Sequence, residues 1–442
     1  PEARPFSTVS LFRNHLRLSE GISPLRSRTM VKRNRVVITG MGVLAPNGIG
    51  LVAFWDSLLN GRSGIGPITL FDASNLKSQI AGEVKNFNPS EYIEPELKPK
   101  RMARHTQFAY AATMMALKDA GLEINDADLP SPTPVVVGVS TSAMDIIERS
   151  ISDFDRHGFH GMSPTAISAL KPQAAANVIA DRIGVRAHAA TVSSACPSGL
   201  DAVASAAMTI RTGEAELAIA GGTDAPITPH TVAAFVASGL TVPHNGSPES
   251  ASKPFDLNRE SGVLAEGAGM FVLENLERAE ARGARIYLEL TGYAAQRDLE
   301  PAQYGSGLRS SMELALANAG CEKSQIDYIS AYGPGDPILD AAEIRFIKEV
   351  FGHHAYSIPI SSIKGVTGNP LAAAGPLQIA ACALTIRDQL IPPTANYQTA
   401  DPDCDLDFVP LRARKAKVHQ ALLNVRGLGG SASSLVMDRV FC

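Results

Sequence analysis

No apolar run in this 442-residue chain reaches the roughly 18 residues that a membrane-crossing helix needs, so a membrane-embedded function is not expected. An excess of one charge sign is missing as well. The 40 lysines and arginines against 44 aspartates and glutamates leave a formal charge of −4, which gives no reason to expect a nucleic-acid partner. Cysteine is scarce: five residues at 196, 321, 382, 404 and 442, an odd number, widely spaced and without a C-x-x-C pair. That pattern excludes a disulfide framework and a zinc ribbon. His157 with His160 and His353 with His354 have no cysteine or acidic cluster to complete a ligand set, so no metal site is expected. Free thiols fit a reducing compartment, and the expectation is a cytoplasmic enzyme.

With 45% hydrophobic and 19% charged residues, the chain has the composition of a globular protein with a substantial core. Its length suits two ordinary domains or one large duplicated unit. Residues 1–30 stand apart. Arg4, Arg13, Arg17, Arg26 and Arg28 face only Glu2 and Glu20 there, a composition like that of an organellar transit segment. Met30 offers a second reading, that the segment is upstream sequence. Either way an appendage without catalytic function is expected.

Apolar runs bounded by glycine or turn residues read as buried strands at Val36–Thr39, Val135–Val139, Ala218–Gly221, Met270–Leu273, Ile286–Leu290, Ile326–Ser330 and Ala421–Val425. Helical patterns fall between them, over Leu51–Asn60, His105–Ala120, Ala174–Ile183, Leu200–Thr212, Gly307–Ala319, Leu339–Phe351 and Leu371–Asp388. Such alternation predicts an α/β fold. Two segments also pair across the chain: Val135–Ser140 parallels Tyr328–Gly333, and Ile219–Thr223 parallels Asn424–Gly430.

The string Thr191-Val192-Ser193-Ser194-Ala195-Cys196-Pro197-Ser198-Gly199-Leu200 places one cysteine at the start of an expected helix. Unpaired N–H groups at a helix start favour a thiolate, so the position predicts a lowered pKa and a nucleophile. A buried structural cysteine is the other reading, and the local string does not separate the two.

Motifs in order across Val31–Val440 carry a resemblance. They are Val36–Gly42, Ser194–Gly199, Ala218–Asp224, Pro254–Asp256 with Glu266–Gly269, Ser361–Gly368 and Gly427–Gly430. Together they resemble the β-ketoacyl-acyl-carrier-protein synthases, condensing enzymes of fatty-acid and polyketide assembly. The resemblance implies the thiolase fold, a five-layered α-β-α-β-α duplication with halves over 31–290 and 291–442, meeting near Glu289–Gly292. It also implies a substrate carried on the phosphopantetheine of an acyl carrier protein, no tightly bound cofactor, and a dimer, either of identical chains or with another ketosynthase.

Two departures bear on the chemistry. The family's catalytic histidines stand in Asn-Ala-His-Gly-Thr and after Lys-Ser-Met-Thr-Gly; here the matching strings place Tyr332 and Asn369 at those points. A tyrosine and an amide donate hydrogen bonds but accept protons poorly, so decarboxylation of a malonyl extender loses its support. Acylation needs only the Cys196 thiolate and an oxyanion hole, which the resemblance assigns to the N–H groups of Cys196 and Leu428. Lys364 is kept in the catalytic string, and Glu343 is its acidic partner, with a buried ion pair between them as the structural reading. Pro334 and Asp336 match the two threonines that contact the pantetheine arm. Arg426 stands where elongating members carry a phenylalanine gate, and a guanidinium there favours a polar or carboxylated acyl chain unless it is turned outward to an acidic neighbour.

Three functions follow. The first is an acyltransferase that loads a carrier-bound intermediate onto Cys196 and cyclises it by aldol or lactonisation chemistry, transfers it or releases it without decarboxylation. The second is a partner subunit resembling a chain-length factor, which the retained cysteine argues against. The third is an elongating synthase with Tyr332 and Asn369 in place of the histidines.

Overall fold

A computed structural model describes residues 33–124, 129–184, 188–243, 245–299 and 305–441. The segment 1–30 and Cys442, with the expectations made for them, lie outside the described residues. From Asn34 onward the described residues form one compact unit.

Among the described residues, ten strands succeed one another across a continuous sheet. They are β1 (Val36–Ala45), β2 (Val135–Gly138), β3 (Ala189–Val192), β4 (Leu217–Asp224), β5 (Gly267–Asn275), β6 (Leu288–Arg297), β7 (Tyr328–Ser330), β8 (Ile360–Ser361), β9 (Gln420–Arg426) and β10 (Ser431–Asp438). Their order is β8-β7-β9-β10-β6-β1-β5-β4-β2-β3. Read outward from the centre, one half runs 1-5-4-2-3 and the other 6-10-9-7-8, so each strand has its counterpart five numbers later. The senses agree too. β2 is parallel to β3 and β4 as β7 is to β8 and β9, and the remaining pairs are antiparallel. The halves join at β1 and β6 through Val37 opposite Glu289 and Ile38 opposite Leu288, so the expected boundary residues Glu289–Gly292 fall inside a strand of the shared sheet.

The helices repeat likewise. The first half carries α1 (Arg104–Asp119), α2 (Ala174–Ile183) and α3 (Ser198–Arg211); the second carries α4 (Ser306–Ala319), α5 (Pro337–Phe351) and α6 (Ala374–Asp388). Gly40 in β1 lies so close to α1 that a Cβ would overlap the Ala116 carbonyl, and Gly292 in β6 stands in the same relation to Ala315 of α4. Among the described residues the three largest apolar clusters lie between the layers. Leu200, Val203 and Ala207 of α3 pack with Leu377, Ala381 and Leu384 of α6 in the central one. Phe108 and Ala112 of α1 with Ile179 of α2 fill one outer core, and Leu308 and Met312 of α4 with Ile344 and Ile347 of α5 fill the other. α6 is apolar on nearly every side, which is the pattern of a helix enclosed by protein. The five-layered duplication expected from the sequence is present.

Strand extents differ from the expectation where burial alternates. β6 buries Leu288, Leu290, Gly292 and Ala294 while the residues between are more exposed, so a search for continuous apolar runs finds only its start. β10 and β3 were not expected, nor were the helices Met144–His157 and Pro229–Ala237.

Candidate active site

The segments that follow β2, β3, β7, β8 and β9 converge at the carboxyl ends of these parallel strands, where open α/β sheets place their sites. After β3 the chain turns sharply into α3. Ala195 adopts φ 64°, an uncommon conformation for a residue with a Cβ, and it swings Cys196 toward the cavity. The turn is held by the Ser194 N–H donating to Ser198 Oγ at 2.8 Å and by the Ser198 hydroxyl donating to the Ala195 carbonyl at 2.5 Å. Gly427 closes over it. A Cβ there would lie 2.8 Å from Pro197 Cδ and 2.9 Å from Ala195 Cβ, so only glycine permits the approach.

Cys196 is 7% exposed. The lowered pKa expected for a helix start is corrected: burial pushes the resting thiol up, because taking a thiolate out of water costs more than its neighbours return. Those neighbours oppose the shift in part, through the Tyr332 hydroxyl, the Lys364 cation and the Leu428 backbone N–H. The Cys196 thiol also lies two residues ahead of Ser198, the first residue of α3, rather than on its end. Asp224 beneath the site raises the thiol further. Its own carboxyl is pushed to about 6 by burial, despite hydrogen bonds from the N–H groups of Thr141 and Ala372.

Tyr332 and Asn369 meet at the wall of the cavity. Asn369 Nδ2 donates to the Tyr332 hydroxyl over a long 3.4 Å, and that hydroxyl in turn hydrogen-bonds the Cys196 sulfur. Burial and the adjacent sulfur push the Tyr332 phenol well above its ordinary range, so it is a neutral donor. The expected buried ion pair of Lys364 with Glu343 is replaced by a clamp on one peptide. Lys364 Nζ donates to the Tyr332 carbonyl at 2.6 Å and lies 4.4 Å from the centre of its ring. Glu343 accepts from the N–H groups of Tyr332 and Gly333, each at 2.9 Å. Lys364 holds the Tyr332 carbonyl and Glu343 the N–H groups on either side of it, while the two charges attract each other across the clamp. Lys364 is 1% exposed, and burial lowers its pKa to about 8; it stands behind Tyr332 and does not line the cavity.

The cavity in front of Cys196 has a volume of about 550 Å³. Cys196, Tyr332, Asn369, Asp336, Arg426 and Leu428 all line it, together with apolar Phe235, Leu240 and Leu339, and no histidine is among the described lining residues. Asp336 is in the wall, but its carboxylate accepts from the N–H groups of Ile338 and Leu339 at 2.9 and 2.8 Å, so it caps α5 instead of awaiting a substrate. Arg426 faces the cavity and is not turned out to solvent. Its guanidinium is paired with Asp298, Nη2 to Oδ2 2.5 Å, a partner the sequence did not indicate. Burial raises the Asp298 carboxyl, yet the N–H groups of Gly305 and Gly307 and the guanidinium hold it below the usual range. Among the described residues, no cluster of three histidine, cysteine or acidic side chains could hold a metal ion, and no helix is long and apolar enough to cross a membrane.

Comparison with known proteins identifies the family and the fold. The family described as "Beta-ketoacyl synthase, N-terminal domain" matches residues 33–279, and "Beta-ketoacyl synthase, C-terminal domain" matches 287–398. The tetracenomycin polyketide synthase ketoacyl synthase alpha subunit of Streptomyces glaucescens is 39% identical over 92% of this chain and 97% of its own. A type II polyketide synthase ketosynthase, solved with its acyl carrier protein and bound to a hexaketide, superposes with a TM-score of 0.84 at 33% identity, covering 92% of this chain and 100% of that one. The ishigamide ketosynthase/chain length factor gives 0.85 at 34% identity, with the same coverage. The fold is that of the thiolase-type ketosynthases, and the chain belongs to the β-ketoacyl synthase family.

Proposed function

We propose that this ketosynthase takes an acyl chain from the phosphopantetheine arm of an acyl carrier protein onto Cys196 and then cyclises, transfers or releases it without decarboxylating a malonyl extender. One observation carries the reading. The nucleophile is kept beside the Leu428 N–H, while both places where the family uses imidazole are filled by Tyr332 and Asn369, joined as hydrogen-bond donors toward the sulfur.

In the capture step the Cys196 sulfur attacks the carrier thioester carbonyl, and the N–H groups of Cys196 and Leu428 hold the resulting oxyanion. The carbon–sulfur bond to pantetheine breaks. The thiol proton of Cys196 passes to the departing sulfur, with the Tyr332 hydroxyl placed to relay it. A hydroxyl or enol of the bound chain then attacks the Cys196 thioester, and the cysteine leaves with that group's proton. For the alternative aldol closure, the carbon of an enol in the bound chain adds to another carbonyl of that chain, and the enol hydroxyl's proton passes through the Tyr332 hydroxyl to the new alkoxide, leaving the tyrosine neutral as before. Folding the chain on itself converts the step to an intramolecular one, worth about 7–11 kcal/mol of barrier in favourable cases, without a strong base.

Arg426 narrows the guest. Because Asp298 already balances its charge, a neutral carbonyl or amide oxygen suits this wall better than the carboxylated chain also expected from sequence. Dimer formation fits the surface. β3 is the outermost strand of its half, and the neighbouring segment exposes Ile151, Phe154, Phe159 and Ile167. The partner is a second copy of the chain or another ketosynthase-like chain; the ishigamide neighbour is named as a ketosynthase/chain length factor.

The test is intact-protein mass spectrometry after incubation with hexanoyl- and acetoacetyl-acyl carrier protein. An acyl adduct on wild type that is absent from Cys196→Ala is expected. An adduct of equal yield in the variant would overturn the assignment.

A further inference from the structure

We propose that Asp201 is a positioning residue for the nucleophile, fixing the Cys196 turn of one half onto the strands of the other. It lies in the first turn of α3, and no part of the capture chemistry above uses it. Its two carboxylate oxygens divide their partners by half. Oδ2 accepts from the Ser194 hydroxyl at 2.5 Å, in the turn that precedes Cys196. Oδ1 accepts from the Tyr293 hydroxyl of β6 at 2.8 Å and from the Ser433 hydroxyl of β10 at 2.6 Å. Among the described residues Asp201 forms no ion pair, so three hydroxyls satisfy a partly buried carboxylate, and each of these bonds is charge-assisted.

The turn depends on this anchor. Every polar group of Ser194 is engaged: its N–H by Ser198 Oγ, its carbonyl by the Ser431 hydroxyl at 2.9 Å, its own hydroxyl by Asp201. The next residue, Ala195, holds a left-handed φ that persists only where its surroundings over-determine it. Releasing the Ser194 hydroxyl removes the one charged restraint on that conformation. Cys196 then drifts from the Leu428 N–H and the Tyr332 hydroxyl, which together oppose the burial of its thiolate.

The inference rests on Cys196 being the nucleophile, and its test does not require the carrier-protein reaction. Iodoacetamide alkylation of Cys196 is followed by peptide mass across pH in Asp201→Asn, Asp201→Glu and Ser194→Ala. In Asp201→Asn we expect the alkylation profile to move up by about one pH unit, with roughly tenfold slower reaction at pH 8. Ser194→Ala should reproduce the shift, and Asp201→Glu should recover part of it. Should Asp201→Asn not fold, the Ser194→Ala profile decides alone, since that change removes only the hydroxyl on the turn. A wild-type profile in the folded Ser194→Ala or Asp201→Asn protein would overturn the inference, as would a lowered unfolding temperature with the profile unmoved. If wild-type Cys196 accepts no acyl group, the proposed function fails while the alkylation result still stands.

Discussion

Removing one oxygen from Tyr332 should change the reactivity of a sulfur on the opposite half of the molecule. In Tyr332→Phe the ring keeps its place, because Glu343 and Lys364 hold the backbone on either side and the Lys364 ammonium stays over the ring. What disappears is the hydroxyl that hydrogen-bonds the Cys196 thiolate. A hydrogen bond to a charged group contributes about 1.5–3 kcal/mol, and one pKa unit corresponds to about 1.4 kcal/mol, so the thiol should rise by about 1–2 units. The sign follows from the state stabilised: the lost donor favoured the thiolate, so the alkylation curve moves to higher pH and the rate at fixed neutral pH falls roughly 10- to 100-fold. Burial has already raised the wild-type thiol, so even the parent curve should lie above that of an ordinary cysteine. Among the described residues, competing thiols interfere little. Burial pushes Cys382 and Cys404 up to about 12 and Cys321 to about 11. The assay is the pH dependence of Cys196 alkylation by peptide mass, beside a thermal melt to confirm folding. Superimposable curves for Tyr332→Phe and wild type would refute the hydroxyl's role at the sulfur.

Arg426→Phe leaves Asp298 without its cation in a mostly buried wall, which should cost about 3 kcal/mol in urea unfolding; adding Asp298→Asn, which removes the charge and keeps an acceptor for the Gly305 and Gly307 N–H groups, should return part of the loss, and a single variant as stable as wild type would contradict the pairing. The same Arg426→Phe enzyme should accept a hexanoyl chain while handling a polar, carbonyl-bearing chain less well, read as relative adduct yield by intact mass. Gly427→Ala pushes a methyl against Ala195 and Pro197, so acyl-adduct formation should fall by about 100-fold with the fold retained by circular dichroism; unimpaired acylation would show that the turn tolerates the intrusion.

The layers were legible because strands covered on both faces, and the helices that cover them, write apolar runs, as in β1 and β4, every residue of which is buried. β10 escaped notice because it opens on Ser431, Ser433 and Ser434, whose hydroxyls read as loop until their partners Ser194, Asp201 and Asn424 are brought to them. The site was legible where a motif named a position: Cys196, Tyr332, Asn369, Arg426 and Leu428 do share one cavity. It was illegible where a role depends on a distant partner. Asp298 lies 128 residues from Arg426 and carries no local signal, and Asp336 spends its carboxylate on the helix it begins. The thiol's direction of shift was misjudged for a related reason. A helix start can be read from a string of residues, whereas the burial that outweighs it is set by the whole fold.

The absence of imidazole at the sulfur is tested most directly by carbon dioxide release from malonyl-acyl carrier protein, measured for wild type, Cys196→Ala and the double variant Tyr332→His with Asn369→His. Wild type should release no more than the Cys196→Ala background and give no product longer by two carbons, while the double variant should release more. Wild-type release at the rate of an ordinary elongating ketosynthase, with a two-carbon-longer product, would contradict it.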